Sequence, residues 1–352
     1  MESTALHPGK LLSISGSYWQ TCTLHASVKL DIFTIIGKNS LASEEVATKM
    51  SAPVRSVAML LDALCAMELL KKDGVRYSNT QISSKFLSKE SSDYIGFMIM
   101  HHHHLVESWS RLDESVISGK PVRNRVSSEQ AHTTSDNNQT NFKEKQQDSL
   151  ECERRESFLM GMFNIAMTTA PDLVPTIDLS GKKHLLDLGG GPGTYAIHFC
   201  LNNPDLTAVV FDLPTTRPFA EKTIQRFGQQ HRITFQDGDF LKDDIQGKYD
   251  VVWLSHILHG DSPSDCEQII KKAASVLEPN GMIIIHEFIM NNEKDGPLFP
   301  ALFSLNMLLG TDGGQAYSER ELMDMLKGAG FKDIVRTKYR GPMESGLIIG
   351  TK

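Results

Sequence analysis

The chain has 352 residues, and a hydrophobic content of 40% supplies enough apolar surface for two cores. Its formal net charge of -7 argues against a nucleic-acid partner, and its five cysteines, odd in number and without CxxC spacing, predict neither a disulfide framework nor a zinc knuckle. No basic segment leads into an apolar run at the start, and no stretch of about 18 apolar residues occurs, so we expect a cytoplasmic protein without a membrane span.

The first predicted elements are helices followed by a β-hairpin. Apolar spacing over residues 16–36 predicts a packed helix, and Ser43 before two glutamates predicts the start of another. A further helix is predicted from Ala52 to Met67, and an Asp-Gly pair at Asp73 predicts a hairpin turn. This order is typical of a winged helix, which binds DNA in many proteins. Because Arg55 is the one basic residue of the Ala52–Met67 helix, we expect that helix to face a protein interface or a core.

Two unusual stretches follow this region. The four histidines His101 to His104 would point in different directions on one helical turn, so they could not all reach one metal ion. From Asn124 to Arg154 the chain is polar, has few apolar anchors and shows no helical or strand period, which predicts a linker or insertion between domains. Apolar spacing at helical period resumes at Phe158.

The most informative motif is LLDLGGGPGT, which joins an apolar strand to a glycine turn. Gly189, Gly191 and Gly193 allow a positive φ and a close approach of the backbone to a ligand at a helix N-terminus. A dinucleotide fingerprint would need a further glycine where this chain has Thr194. The spacing therefore favours S-adenosylmethionine as the cofactor over a ligand that carries a pyrophosphate.

Four more apolar runs predict strands that end in polar or aromatic residues. Asp212 ends the first of them and is placed to accept hydrogen bonds from two ribose hydroxyls. Asp239 and Phe240 follow the next and would take an adenine amino group and flank its ring. The last two strands carry His256, His259 and Glu287. Because helical stretches separate these strands, we predict an α/β domain whose parallel sheet binds ligands at its carboxyl edge.

The residues alone leave the role of the two histidines open. An isolated histidine near a strand end is more often a structural hydrogen-bonding group than a catalyst. His256 and His259 are also spaced so that they could share a metal ion. However, no cysteine or acidic residue with metal-ligand spacing accompanies them in the sequence, so we predict no metal site.

The chain resembles the small-molecule O-methyltransferases of the caffeic acid and acetylserotonin type. The segments LLDLGGGPGT, VVFDLP, GDF, LSHILHG, EPNGMIIIHE and GGQAYSERELMDMLKGAGF occur in that family's order and spacing. The resemblance implies a Rossmann-like class I methyltransferase sheet, an N-terminal all-α winged-helix dimerisation domain, a homodimer and S-adenosylmethionine as cofactor. We expect dimerisation, linker and methyltransferase regions at residues 1–120, 121–157 and 158–352.

The resemblance also implies roles for individual residues. His259 falls on the family's general base and Glu287 on one of two acids that flank it. The cofactor contacts fall on Gly189, Gly191, Gly193, Asp212, Asp239, Phe240 and Ser255. The substrate pocket would include Met162, Phe303, Asn306 and Met307, and one or two residues of the His101–His104 run would line it.

The sequence departs from the family at three positions. Plant relatives read His-Asp-Trp where this chain has His259, Gly260 and Asp261, and the second flanking acid falls on Ala316. Asp261 is a candidate to replace part of the missing acid. We expect transfer to a hydroxyl of a small aromatic molecule. The alternatives are methylation of carbon on a larger ring such as a tetrapyrrole or polyketide and, more distantly, a winged-helix regulator that senses the cofactor.

Overall fold

The structure of the protein is a computed structural model that describes residues 7–123 and 142–352. The chain divides into two compact units. Within the described residues, the first unit contains residues 7–105 and 149–164, and the second contains residues 106–123, 142–148 and 165–352. None of the helices in the described residues is both long and apolar enough to cross a membrane.

The first unit combines short helices with a small sheet. Its strands are β1 (Leu41–Ala42), β2 (Leu70–Asp73) and β3 (Arg76–Asn79), in the order β1-β3-β2. Its helices are α1 (Gly9–Gly16), α2 (Tyr18–Lys29), α3 (Ile32–Ile36), α4 (Ser43–Met50), α5 (Val54–Ala66), α6 (Gln81–Phe86) and most of α7 (Gly96–Trp109). One hydrophobic core joins α2 to α5, and it includes Val28, Ile32, Phe33, Val46, Leu61 and Leu64.

Local signals explain how these elements begin and turn. Helix α4 begins at Ser43 as predicted, and the Glu45 side chain accepts a hydrogen bond from the Ala42 backbone N–H at 2.7 Å. Strands β2 and β3 form the predicted hairpin, in which Asp73 pairs with Arg76 and Gly74 has a φ of +56°. Strand β1, which pairs with β3, is too short for the sequence pattern to predict.

The helix α9 (Phe142–Leu173) corrects one expectation. Residues 142–154 are helical, although the sequence from Asn124 to Arg154 shows no apolar period. They are rich in Glu, Lys, Gln and Arg, which have a high intrinsic helix propensity. Because these residues continue directly into the apolar helical turns after Phe158, that propensity is sufficient to extend the helix. Residues 124–141 lie outside the described part of the chain. Residues 149–164 of α9 belong to the first unit, and the residues of α9 before and after them belong to the second.

The second unit is an α/β domain. Its strands are β4 (His184–Leu188), β5 (Thr207–Asp212), β6 (Ile233–Asp237), β7 (Tyr249–Ser255), β8 (Leu277–Phe288), β9 (Lys332–Arg336) and β10 (Ser345–Thr351). Its helices are α8 (Leu112–Ser118), the end of α9, α10 (Thr194–Asn202), α11 (Arg217–Arg226), α12 (Pro263–Val276), α13 (Leu298–Gly310) and α14 (Glu319–Gly328). In the described residues, these strands form one sheet in the order β6-β5-β4-β7-β8-β10-β9.

Strands β4 to β8 are parallel, as predicted, and β10 is antiparallel to both β8 and β9. Alternate residues of the strands enter two different cores. Leu185, Trp253 and Ile284 pack with α10 and α11, whereas Leu186 and Ile285 pack with α12 and α14. The sheet is therefore covered on both faces, which leaves its carboxyl edge as the place where polar side chains collect.

Histidines in the first unit predict a loss of stability in acid. Burial, reinforced by the nearby His103 and His102, lowers the pKa of His25 to about 4. His25 is 4% exposed, and its Nδ1 has no hydrogen-bond partner in the part of the chain that is described. In the unfolded chain a histidine has a pKa of about 6.5, so at a pH below this value the unfolded chain binds a proton at His25 while the folded chain does not. Protonation of His25 therefore does not lower the free energy of unfolding above pH ~6.5, but it lowers that free energy progressively as the pH falls from ~6.5 toward ~4.

We expect the free energy of unfolding to fall between pH 7 and pH 5, with His25 contributing about 1 to 2 kcal/mol of the loss. Urea denaturation at both pH values measures this loss. His25→Phe should show the smaller pH dependence, whereas His231→Phe, at an exposed position of the second unit, should behave as the wild type does. Equal pH dependence in all three proteins would contradict the assignment.

Candidate active site

The site lies at the carboxyl edge of the parallel strands. Strand β4 pairs with β5 on one side and with β7 on the other, so the strand order reverses there. Ligands of open α/β sheets bind in the crevice at such a reversal. The glycine loop follows β4, Asp212 ends β5, Ser255 ends β7, and Glu287 is the penultimate residue of β8. The fold therefore brings the predicted residues of four strands to one edge.

The glycine loop has the backbone conformation that its sequence predicts. Gly189, Gly191 and Gly193 have φ values of +70°, +53° and +75°. The Gly191 N–H donates a hydrogen bond to the Asp212 carboxylate at 2.8 Å, which joins the loop after β4 to the end of β5. The other oxygen of Asp212 accepts from the Leu213 N–H at 2.7 Å and from the Thr216 hydroxyl at 3.0 Å. Asp212 is thus fixed beside the loop.

A second carboxylate lies beneath this loop. Asp187 is 1% exposed, and its Oδ2 accepts a hydrogen bond from the Ala196 N–H at 3.2 Å. Burial, together with the negative charge of Asp212, raises the pKa of Asp187 to about 7. The sequence shows an acid before the glycines, but its burial and its proximity to Asp212 follow only from the fold.

The predicted adenine contacts lie just beyond β6. Asp239 and Phe240 are both half-buried, and Phe240 packs against the core formed with α12 and α14. The Asp239 Oδ1 accepts a hydrogen bond from the Leu241 N–H at 3.0 Å. At the end of β7, the Ser255 hydroxyl lies 3.0 Å from Nδ1 of His286. His286 is buried, and burial together with the nearby His256 lowers its pKa well below the ordinary value, so its ring is neutral.

A contact between two side chains joins His259 to Glu287. Nδ1 of His259 lies 2.9 Å from Oε2 of Glu287, and the backbone N–H of His259 donates to Oε1 at 3.3 Å. The backbone N–H of Phe288 also donates to Oε2, at 3.2 Å. One carboxylate therefore holds both the ring and the main chain of His259, which lies in the short 3₁₀ turn Leu258–Gly260.

Glu287 is an ionised carboxylate inside the protein. It is 2% exposed, so burial alone would raise its pKa. The charges and hydrogen bonds of His259 and His256 outweigh burial and hold the pKa of Glu287 well below its usual range. The imidazole of His256, whose φ is +56°, lies on the other side with Nδ1 at 3.6 Å from Oε2 of Glu287.

These three side chains also correct a premise of the sequence analysis. Nδ1 or Nε2 atoms of His256 and His259 and an oxygen of Glu287 lie within 4.8 Å of one another, a spacing that metal ligands show. The acid with suitable geometry is 28 residues beyond His259 in the chain, so sequence spacing could not show it. In the protein as described, Glu287 is already hydrogen-bonded to His259.

Aromatic rings lie beside His259 and His256. The Phe303 ring meets the His259 ring edge to face, with centroids 4.8 Å apart, and Phe288 lies 4.2 Å from His256 and 6.0 Å from His259. Phe299 completes the group, 5.0 Å from Phe288. Phe303 was predicted to line a pocket, whereas Phe288 and Phe299 were not. An aromatic residue directly after Glu287 at a strand end was the available signal for Phe288.

The other predicted pocket residues are distributed over both units. Asn306 and Met307 are buried in α13 of the second unit, and the Oδ1 of Asn306 has no hydrogen-bond partner among the described residues. Met162 is half-buried in the part of α9 that belongs to the first unit. Ala316 is buried, and its backbone N–H donates to the Ser304 hydroxyl at 3.0 Å. Replacement of the missing acid by Asp261 stays a prediction.

The histidine run lies on α7 in the first unit. His103 meets His25 edge to face, with ring centroids 5.6 Å apart, while His101 lies 5.3 Å from the ring of Phe158. The Nε2 of His103 lies 3.4 Å from Nζ of Lys29. Neighbouring histidines therefore contact different parts of the unit, as helical geometry requires. Their lining of a substrate pocket stays a prediction.

Comparison with known proteins assigns the chain to a family. A family model of an O-methyltransferase domain matches residues 109–332, and one of an O-methyltransferase dimerisation domain matches residues 12–89. The chain is 30% identical over 346 residues to 3-hydroxy-5-methyl-1-naphthoate 3-O-methyltransferase of Streptomyces sahachiroi, covering 98% of this chain and 95% of the relative. It is 28% identical over 347 residues to the tetracenomycin polyketide synthesis 8-O-methyl transferase TcmO of Streptomyces glaucescens, covering 98% and 97%.

The structural comparison agrees. The crystal structure of human N-acetylserotonin methyltransferase in complex with SAM has a TM-score of 0.82 to this chain at 25% identity, covering 100% of this chain and 99% of the human one. The chain therefore belongs to the O-methyltransferase family. It is an S-adenosylmethionine-dependent enzyme that acts on small molecules, and the predicted fold class and cofactor are confirmed.

The edge of the sheet fits this cofactor. A Cβ placed on Gly191 would meet no atom of the described residues within 4 Å, so there is open space beside a backbone with positive φ. The Asp212 carboxylate gives the same edge a negative charge, which suits a sulfonium cation. The conformation of the loop and the charge beside it are compatible with the cofactor.

The glycine loop yields a test of its own geometry. Alanine in place of Gly191 adds only the strain of a positive φ, about 1 to 2 kcal/mol. Alanine in place of Gly189 adds the same strain and a clash of its Cβ with the Ile257 side chain, which we expect to cost about 1 kcal/mol more. Urea denaturation of Gly189→Ala and Gly191→Ala measures the difference. A Gly191→Ala protein that is the less stable of the two would contradict the described loop.

Proposed function

We propose that the protein transfers a methyl group from S-adenosylmethionine to a hydroxyl of a small aromatic molecule, with His259 as the general base. The observation that carries this proposal is the bond between Nδ1 of His259 and Oε2 of Glu287 at 2.9 Å. When Nδ1–H donates to the carboxylate, the lone pair of the imidazole is on Nε2. The ring is then in the tautomer that accepts a proton from an acceptor hydroxyl.

The chemistry needs a base and little else from the side chains. A phenol titrates near pH 10, so its proton must leave as its oxygen attacks, and an imidazole within hydrogen-bond reach suits that task at neutral pH. S-adenosylmethionine, when bound, supplies a methyl group on a positively charged sulfur. The negative charge of Glu287 stabilises the imidazolium of His259 as the proton arrives. Positioning of the two reactants accounts for a further ~7 to 11 kcal/mol in favourable cases.

The rings around His259 support an aromatic acceptor. Phe288 and Phe303 both lie beside the His259 ring, and Phe299 lies behind them. Aromatic side chains contact a flat substrate ring through offset or edge-to-face geometry and exclude water from the base. One relative, the Streptomyces sahachiroi enzyme, is named for a hydroxylated naphthoate substrate. Asn306, Met307 and Met162 are further proposed pocket residues.

The cofactor contacts and the assembly belong to the same proposal. Gly189, Gly191, Gly193, Asp212 and Ser255 would hold the methionine and ribose parts, and Asp239 with Phe240 would hold adenine. We also propose that the helix, helix and hairpin of the first unit are a winged helix that forms a homodimer. The match of residues 12–89 to a dimerisation domain supports the homodimer. The exposed apolar side chains of α1 and α2 support it too, namely Leu11, Leu12, Ile14, Tyr18 and Trp19.

The acceptor class can be tested with methyl-labelled cofactor and a panel of phenols, naphthols, quinone precursors and tetrapyrroles. We expect label in a phenol or naphthol, because the pocket rings and the base suit a flat hydroxylated ring. Mass spectrometry of the product before and after chemical cleavage of methyl ethers distinguishes oxygen from carbon as the acceptor. A product whose methyl group survives that cleavage would replace the proposal with carbon methylation.

The role of His259 is tested by substitution. We expect His259→Ala to lower kcat by roughly 100- to 10,000-fold, because the proposed proton acceptor is removed, while the affinity for S-adenosylhomocysteine changes little. Glu287→Gln should also lower kcat, because it removes the charge that stabilises the imidazolium. His231→Gln, at an exposed position, is the matched control. A kcat of His259→Ala within threefold of the control would remove His259 from the role of base.

A further inference from the structure

The segment that carries the proposed adenine contacts is held mainly by hydrogen bonds of its main chain. Residues 238–248 connect β6 to β7 without regular helix or strand, and we call them the β6–β7 segment. The carbonyl of Asp239 accepts from the backbone N–H groups of Lys242 and Asp243 at 3.0 and 2.7 Å, which closes one turn. The backbone N–H of Asp239 donates to the Asp243 carboxylate at 2.8 Å. These contacts shape the turn. The segment is attached to the domain at its start, where the Gly238 N–H donates to the Asp212 carbonyl at 3.0 Å, and at its end, where the Lys248 ammonium donates to the Ser275 carbonyl at 2.7 Å.

Between these two points, one side chain from α12 holds the main chain of the turn. The Lys272 ammonium donates hydrogen bonds to the carbonyl oxygens of Phe240, Leu241 and Asp243 at 3.1, 2.8 and 2.9 Å. An ammonium group has three N–H donors, so all of them are used by the β6–β7 segment. Charge-assisted bonds of this kind are stronger than bonds between neutral groups. Lys272 itself is half-buried on a helix whose neighbouring residues Ile269, Ile270 and Ala273 are fully buried in the core.

We propose that Lys272 is a positioning residue for the adenine end of the cofactor. Its three bonds fix the main chain of the β6–β7 segment to a rigid helix, and they thereby fix the side chains of Asp239 and Phe240. Since its donors are saturated by main-chain carbonyls, Lys272 acts through the segment and has no donor left for the ligand itself. The inference rests on the placement of adenine at Asp239 and Phe240 in the proposed function.

The adjacent residue provides a matched control. Lys271 has the same charge and the same helix, but it is exposed and pairs with Glu267 at an N–O distance of 3.3 Å, one turn earlier. An exposed pair of this kind contributes little to stability. Lys271→Met and Lys272→Met therefore remove the same charge from α12, and only the second leaves three carbonyls without their donor.

The experiment compares two ligands that differ at one group of the base. S-inosylhomocysteine carries a carbonyl oxygen where S-adenosylhomocysteine has the adenine amino group, so a carboxylate that accepts from that amino group discriminates against it. Calorimetry gives both dissociation constants for the wild type, Lys272→Met, Lys271→Met and Asp239→Asn. We expect Lys272→Met to bind S-adenosylhomocysteine about 5- to 50-fold more weakly and to lose most of the preference for adenosine. The Lys271→Met protein should match the wild type in both respects.

Turnover supplies a second readout. In Lys272→Met the KM for S-adenosylmethionine should rise while kcat at saturation stays within about twofold, because the base and its carboxylate are untouched. Lys272→Arg, which restores a cation with several donors, should recover part of the affinity. If Lys272→Met does not fold, Lys272→Gln, with two amide donors, should show the same changes to a smaller degree.

The outcomes distinguish failure of the proposed adenine placement from failure of the proposed role of Lys272. If Asp239→Asn retains full preference for adenosine, adenine lies elsewhere, and both its proposed placement and the role of Lys272 are overturned. If Asp239→Asn loses the preference while Lys272→Met keeps it, the role of Lys272 alone is overturned. Equal weakening of both ligands in Lys272→Met would also overturn that role, because a general loss of structure does not distinguish an amino group from a carbonyl oxygen.

Discussion

The candidate active site depends on the hydrogen bonds that the buried carboxylate of Glu287 accepts from His259. A buried charge is costly unless partners compensate for it, and this one has the His259 ring, the His259 backbone and the Phe288 backbone. Strand β8 pairs with both β7 and β10, so the backbone that carries the carboxylate is fixed. The rigid sheet therefore sets the position of the imidazole, and the proposed base is held by the core and not by a mobile loop.

Much of this arrangement follows from patterns that the sequence displays. The alternation of apolar residues in β4 and β7 and the helical spacing between strands predict a parallel sheet, and a parallel sheet brings strand ends to one edge. The glycine loop and Asp212 are then neighbours because β4 and β5 are neighbours. The family resemblance adds the role of His259, since a histidine near a strand end has no assigned chemistry on its own. Local sequence patterns were sufficient to predict the strands and the glycine loop, because the positions of these elements are set by the backbone.

Contacts between side chains that are distant in the chain could not be predicted in this way. The exclusion of a metal-ligand geometry at His256 and His259 overlooked Glu287, which the pairing of β7 with β8 brings beside them. Lys272 lies about 30 residues from the carbonyls that it contacts, and in the sequence it looks like one of many helix-surface lysines. The first half of α9 was missed for another reason, because helix propensity can build a helix that has no apolar stripe.

The two carboxylates near the glycine loop differ in what they contribute. Asp212 accepts a hydrogen bond from the Gly191 N–H, but dinucleotide sites also place an acid at the end of the second strand, so its charge does not separate the two ligands. Burial, together with the charge of Asp212, raises the pKa of Asp187 to about 7, so a large share of this side chain is protonated at neutral pH. The spacing of the glycines, which ends in Thr194, is therefore the feature that argues against a pyrophosphate. That spacing is visible in the sequence, whereas the protonation of Asp187 follows only from the fold.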